Sequence, residues 1–173
     1  TTDAKLNERN VSAGTRADIV NFRAEVRVLR ALSYYNLMDL FGKANFVTED
    51  TPLNTTPEVY NRAQLFSFIE TELTEALPDL VAARANEYGR VDKAVAWMIL
   101  AKMYLNAEVY IGQDRYADCM SNLQNIIGSG YGLATDYLHN FMADNDVNSA
   151  SNEIIFPLLS DGLITQNFGP TTV

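Results

Sequence analysis

The chain has 173 residues, which suits one domain and lets a folded chain bury roughly 70% of its unfolded surface. Apolar and charged fractions of 47% and 20% are those of an ordinary globular protein, but the net charge of −9 argues against a nucleic-acid binder. It also argues against docking on anionic lipid through a basic patch.

In chain order, residues 1–15 are polar and aperiodic, which predicts a loose lead-in. Residues 17–41 turn helical. Phe22, Val26, Leu29 and Leu32 recur at steps of three or four and share one face. Tyr34, Tyr35, Leu37, Met38, Leu40 and Phe41 leave almost no polar side, so that end is expected to be buried all round, with Gly42 as the stop. Residues 43–60 carry Pro52, Pro57 and four threonines, and form a long irregular insertion of extended character.

Asn61 caps the next helix, 62–84, with Gln64 completing a capping box. Leu65, Ile69, Leu73, Ala76 and Leu80 make its apolar stripe. Glu70, Glu72 and Glu75 read as a solvated face, and Pro78 kinks or ends the helix. The third helix runs from an N-cap at Asp92 to Gly112 and is almost wholly apolar, with small Ala94, Ala96, Ala101 and Ala107 admitting close neighbours. A fourth spans 115–128, with Tyr116, Cys119 or Met120, Leu123 and Ile127 as its apolar set. As the only cysteine, Cys119 excludes an intrachain disulfide and is expected to pack in the core. Beyond Gly130 the helical period fades. Residues 153–159, EIIFPLL, make a short C-terminal strand that Pro157 restricts to an edge, followed by a turn signal at Asp161-Gly162.

Trp97, Leu100, Ala101 and Tyr104 have the spacing of the first helix of a tetratricopeptide repeat. Aligning RALSYYNL at 30–37 with LAKMYLNA at 100–107 pairs Ala31, Tyr34 and Asn36 with Ala101, Tyr104 and Asn106, an offset near two repeat units. The organisation expected is an all-α domain of tetratricopeptide-like hairpins: 17–84 with the insertion 43–60, then 91–128, then an irregular segment 129–173 with the short strand.

Functional candidates are few. Arg23, Arg27 and Arg30 lie on one helix face, where pairing with carboxylates outweighs a binding role. Asp144, Asp146 and Asn148 alternate as in a calcium loop, but the positions needing Gly and Glu hold Ser149 and Ile155, so the template fails and metal binding stays unassigned. His139 is the only histidine, which leaves no histidine cluster for a metal. No phosphate-binding loop occurs, no acidic pair is marked for catalysis, and no cofactor is implied. Tyr60 and Tyr88 border loops and are the tyrosines best placed to offer a ring to a sugar.

Three stretches carry a resemblance to a known family: AEVRVLRALSYYNLMDLFGKANF at 24–46, YGRVDKAVAWMILAKMYLNAEVYIGQ at 88–113, and GSGYGLATDYLHNFMADNDVNSASNEIIFPL at 128–158. In order and in motif they resemble the SusD/RagB-like family, the surface nutrient-binding lipoproteins of Bacteroidetes outer membranes. The Tyr-Gly-Arg, Tyr-Leu-Asn-Ala and Phe-Met-Ala-Asp-Asn-Asp strings are most similar to its starch-binding branch. The resemblance implies a non-catalytic protein that binds an oligosaccharide or polysaccharide, an α-glucan such as starch among them. It implies an outer-membrane location and a SusC-like TonB-dependent transporter as partner, faced by the helical part. It transfers no glycan-contacting residue to any position here.

The longest apolar run, 94–101, is far short of the roughly 20 residues a spanning helix needs, and the polar start has no signal-peptide core. That leaves a cytoplasmic protein, or an internal piece of a longer exported one; the resemblance favours the second. The alternative function is a tetratricopeptide-type scaffold for a protein or peptide, with no carbohydrate binding.

Overall fold

The computed structural model describes residues 3–159. Its longest element starts earlier than the apolar period suggests, because Ser12 accepts the Thr15 N–H at 3.2 Å and caps a 29-residue helix, α2 (Ala13–Phe41). The lead-in is not loose either: α1 (Asp3–Glu8) precedes it and buries Leu6. Gly42 closes α2 at φ 69°, its N–H returning to the Met38 carbonyl; a Cβ here would also meet the Arg62 guanidinium at 3.1 Å.

The insertion is more ordered than its composition predicts. Strands β1 (Lys43–Phe46) and β2 (Glu58–Asn61) pair antiparallel, with Ala44 opposite Tyr60 and Phe46 opposite Glu58. Asn61 then caps α3 (Arg62–Ala76) with the capping box to Gln64. Pro78 ends that helix sooner than 84: α3 gives way to a 3-10 turn, Leu77–Asp79. Asp92 caps α4 (Lys93–Leu105) as expected, its carboxylate accepting the Ala94 N–H at 2.8 Å. The third helix is not continuous to Gly112. It breaks at Asn106, and α5 (Ala107–Ile111) resumes before Gly112 stops it at φ 68°. Finally α6 (Tyr116–Gly128) lies along α4, and α2 lies along α3.

The described chain is mainly helical with one small sheet. The strand expected at 153–159 is absent. Those residues run as bends and irregular backbone, and among the described residues the strands lie at the borders of the insertion instead. Pro157 removes a ladder donor there. The turn expected at Asp161-Gly162 lies outside the described residues. No described helix is long and apolar enough to cross a membrane.

The core runs through all four long helices. Val28, Met38, Leu65, Ile69, Leu73 and Met103 are fully buried, and Cys119 joins them as a free thiol that burial pushes upward in pKa. The inner face of α2 is Ala24, Val28, Ala31, Tyr34 and Met38; Phe22, Val26 and Leu29 are exposed. The distal end is not buried all round either, since Leu37, Leu40 and Phe41 face outward. On α6 the buried residues are Cys119 and Ile126, whereas Tyr116, Met120 and Ile127 are exposed. On α4 the inward set is nearly the whole helix, including Ala94, Ala96, Leu100, Ala101 and Tyr104. Small residues let α4 approach α2, α3 and α6 at once, and its apolar circumference needs such cover.

Leu73 sits with no exposed surface between α3 and the core. Leu73→Ala is expected to lower the unfolding free energy by about 2–5 kcal/mol in urea denaturation, through the cavity left behind.

Candidate functional site

The polar side chains that the fold gathers most tightly are structural. Glu72 on α3 is 6% exposed and is clasped by two arginines from α2. Arg27 gives Nε and Nη2 to Oε1 at 3.1 and 2.8 Å; Arg30 gives Nε and Nη2 to Oε2 at 2.9 and 2.6 Å. Both guanidiniums have spare donors. Arg27 reaches Glu75 at 2.6 Å, and Arg30 reaches Glu49 in the insertion. A hydrogen bond from its own backbone N–H and the Arg30 guanidinium hold the Glu49 carboxyl below the usual glutamate range. The expected pairing of Arg27 and Arg30 with carboxylates is therefore present, while the expected solvated face on α3 is corrected at Glu72, which is buried because it answers two cations. Arg23, the third of the row, reaches Asp3 of α1 at 3.2 Å.

A second cluster ties α3 to α4 and to the N-cap of α6. Glu70 accepts from the Tyr104 hydroxyl at 2.8 Å and from Arg115 at 2.7 Å, with the Arg115 guanidinium over the Tyr104 ring. Burial first, and the Glu70 hydrogen bond second, push the Tyr104 hydroxyl well above the ordinary phenol range. Tyr110 on α5 behaves alike: burial and its 2.6 Å bond to Asp39 of α2 raise it. Tyr34 and Tyr104, paired in the alignment of 30–37 with 100–107, are both buried with bonded hydroxyls, and Ala31 and Ala101 are buried as well.

The surface with binding character lies where the hairpin meets α3. The Tyr34 hydroxyl brackets Val47, donating to its carbonyl at 2.9 Å and accepting its N–H at 2.8 Å, so the end of β1 is fixed on α2. That fixes Phe46, which stacks on Tyr60 with centroids 3.9 Å apart and planes 2° from parallel. Phe68 meets Phe46 edge-on at 4.7 Å and Tyr34 at 5.3 Å. Phe46, Tyr60 and Phe68 border an open depression of about 570 Å³, rimmed by Asn61, Gln64 and Ser67. The capping box uses the side-chain oxygens of Asn61 and Gln64, which leaves both amide NH₂ groups directed elsewhere. Of this group, the loop border of Tyr60 is visible in the sequence. Phe46 and Phe68 are not, because only the hairpin pairing brings them to it.

The other candidates do not converge. Tyr88 is exposed beside a small charged depression that also holds Arg84, Glu87, Arg90 and Asp92. Asn148 of the calcium-like string is committed locally: its oxygen accepts the Ala150 N–H at 2.8 Å, and its NH₂ donates to the His139 carbonyl and to Asp144. Among the described residues no group of three or more His, Cys, Asp or Glu side chains is placed to hold a metal. His139 Nδ1 lies 2.7 Å from Ser149 Oγ within the same turn region.

No family model matches the chain. Among curated proteins it is 43% identical over 159 residues to the starch-binding protein SusD of Bacteroides thetaiotaomicron, covering 91% of this chain and 28% of that protein. Among solved structures it is similar to a SusD-like protein from Bacteroides fragilis, at TM-score 0.70 and 21% identity over 90% of this chain and 30% of that one. It is also similar to a surface glycan-binding protein A from Bacteroides thetaiotaomicron in complex with laminarihexaose, at TM-score 0.60 and 26% identity over 77% of this chain and 27% of that one. The chain thus spans somewhat over a quarter of the length of these relatives.

Two outcomes test the polar clusters. Glu72→Ala leaves two guanidiniums without their shared acceptor and is expected to cost about 3 kcal/mol, the lower end of the range for breaking buried pairs because both arginines keep some solvent. Alkali is the second stress. The Tyr104 and Tyr110 hydroxyls have folded pKa values above the unfolded one, so their contribution is complete below about pH 10 and lost as pH rises further. Thermal unfolding followed from about pH 8 to about pH 11 should show a falling midpoint, with a smaller fall in Tyr104→Phe.

Proposed function

The chain is a segment of the SusD-like family, and from that premise we propose that it is the helical scaffold of a non-catalytic glycan-binding protein of the outer-membrane surface. The observation that carries this is the 43% identity to starch-binding SusD across 91% of the chain. The relative solved with laminarihexaose supports saccharide as the ligand class. In this reading the whole protein captures an oligosaccharide or polysaccharide, starch or another α-glucan foremost, and hands it to a SusC-like TonB-dependent transporter that the helical part faces. The scaffold role agrees with what the side chains do: the tightest polar groups, around Glu72 and Glu70, hold helices together and are saturated by one another.

Affinity electrophoresis of the full-length protein in gels containing starch or other polysaccharides checks the reading. Retarded migration in starch, with no oligosaccharide released on incubation, is the expected result. Migration unchanged across a broad glycan panel would sink it, and a soluble protein partner recovered in its place would favour a tetratricopeptide-type interaction scaffold.

A further inference from the structure

We propose that the depression at Phe46, Tyr60 and Phe68 is a contact site for a neutral gluco-oligosaccharide. The inference rests on the glycan-binding role proposed above and adds to it a place within this segment.

Charge separates this surface from the others. No charged side chain among the described residues lines it, although the chain carries −9 overall. The larger groove beside α2 is lined by Asp3, Arg23, Arg27, Arg30, Glu49 and Asp50, and its arginines are already paired. An uncharged surface surrounded by charge favours a ligand that is itself uncharged, which argues against phosphate, acidic sugar and charged peptide.

The groups present suit a polyol with a flat side. A pyranose ring offers one face of weakly positive C–H bonds and a rim of hydroxyls. The C–H face complements the negative π face of an aromatic ring. One face of Tyr60 is taken by Phe46, yet the ring still lines the depression. The Phe46 ring is braced by Phe68 and Tyr34, so the shelf is rigid before any ligand arrives and little ordering is lost on binding. The hydroxyl rim needs neutral donors and acceptors. Asn61, Gln64 and Ser67 supply amide N–H groups and a hydroxyl for which no partner occurs among the described residues. The volume, about 570 Å³, lies within the usual range of small-molecule sites, roughly 300–1,000 Å³.

The test is calorimetric titration of the full-length protein with maltoheptaose and with laminarihexaose. Tyr60→Leu removes the ring while leaving an apolar side chain over Phe46; Ser67→Arg fills the depression from an exposed position on α3 without touching the core. Each is expected to raise Kd by about three- to tenfold, the scale of one aromatic contact, with the thermal midpoint of Ser67→Arg unchanged. Tyr60→Phe, which keeps the ring, should bind within about twofold of wild type. If wild type binds and both disruptive variants bind equally well, the shelf is not a sugar site and the glycan role survives without it. If wild type binds neither saccharide, both readings fall. If Tyr60→Leu loses only its co-purifying transporter, the shelf is a protein contact and the proposal is overturned.

Discussion

One carboxylate sets the geometry on which the rest of the chain depends. Glu72 has four donor atoms on its two oxygens, all from guanidiniums one helical turn apart on α2. A planar fork on a planar acceptor tolerates little sliding or rotation, so the pair fixes both the axial register and the facing of α2 on α3. The surrounding apolar packing supplies most of the stabilisation, and the forked ion pair adds a directional constraint that non-directional burial lacks. Arg30 then extends the constraint outward through Glu49 to the insertion. A loop rich in proline and threonine is thereby tied to the helices, while the hairpin that presents Phe46 and Tyr60 is fixed on α2 by the Tyr34 hydroxyl on Val47.

The second half of the scaffold is organised differently. Helix α4 has hardly any polar side, so it cannot be an outer helix; it is a wedge whose alanines let α2, α3 and α6 come close. Polar ties appear only at its edges, where the Tyr104 hydroxyl meets Glu70 and Arg115 lies over the ring. Tyr34 on α2 uses its hydroxyl to grip the backbone of Val47. The same residue type thus serves a neighbouring helix from α4 and a strand end from α2, because α2 leads into a hairpin and α4 leads into another helical turn.

How far the sequence discloses this depends on whether the signal is local. Caps at Asn61 and Asp92 and stops at Gly42 and Gly112 are legible, since each is a short-range contact between a few residues. The buried face of α2 is not. Phe22, Val26 and Leu29 keep helical spacing, but so do Ala24, Val28 and Ala31, and the close approach of neighbours selects the small set. The hairpin escapes a reading of the sequence because eleven residues separate β1 from β2, with no tight-turn signature. Residues 153–159 imitate a strand because their apolar β-branched run looks like one when no partner strand is considered. Tyr60 is visible as a loop-border ring, whereas the shelf around it is a tertiary object assembled from β1, β2 and α3. The family resemblance, by contrast, is plain from three ordered stretches, because motif identity survives where the burial pattern is ambiguous.

Cys119 sits in the seam between α4 and α6, 4% exposed, with a thiol that burial keeps protonated. A thiol in that state is inert to alkylation until the seam opens, since only the solvated thiolate reacts. The chain contains no second cysteine to confuse the signal. Its rate of modification therefore counts excursions of α6 away from α4, and makes this single sulfur an intrinsic clock for local unfolding of the wedge.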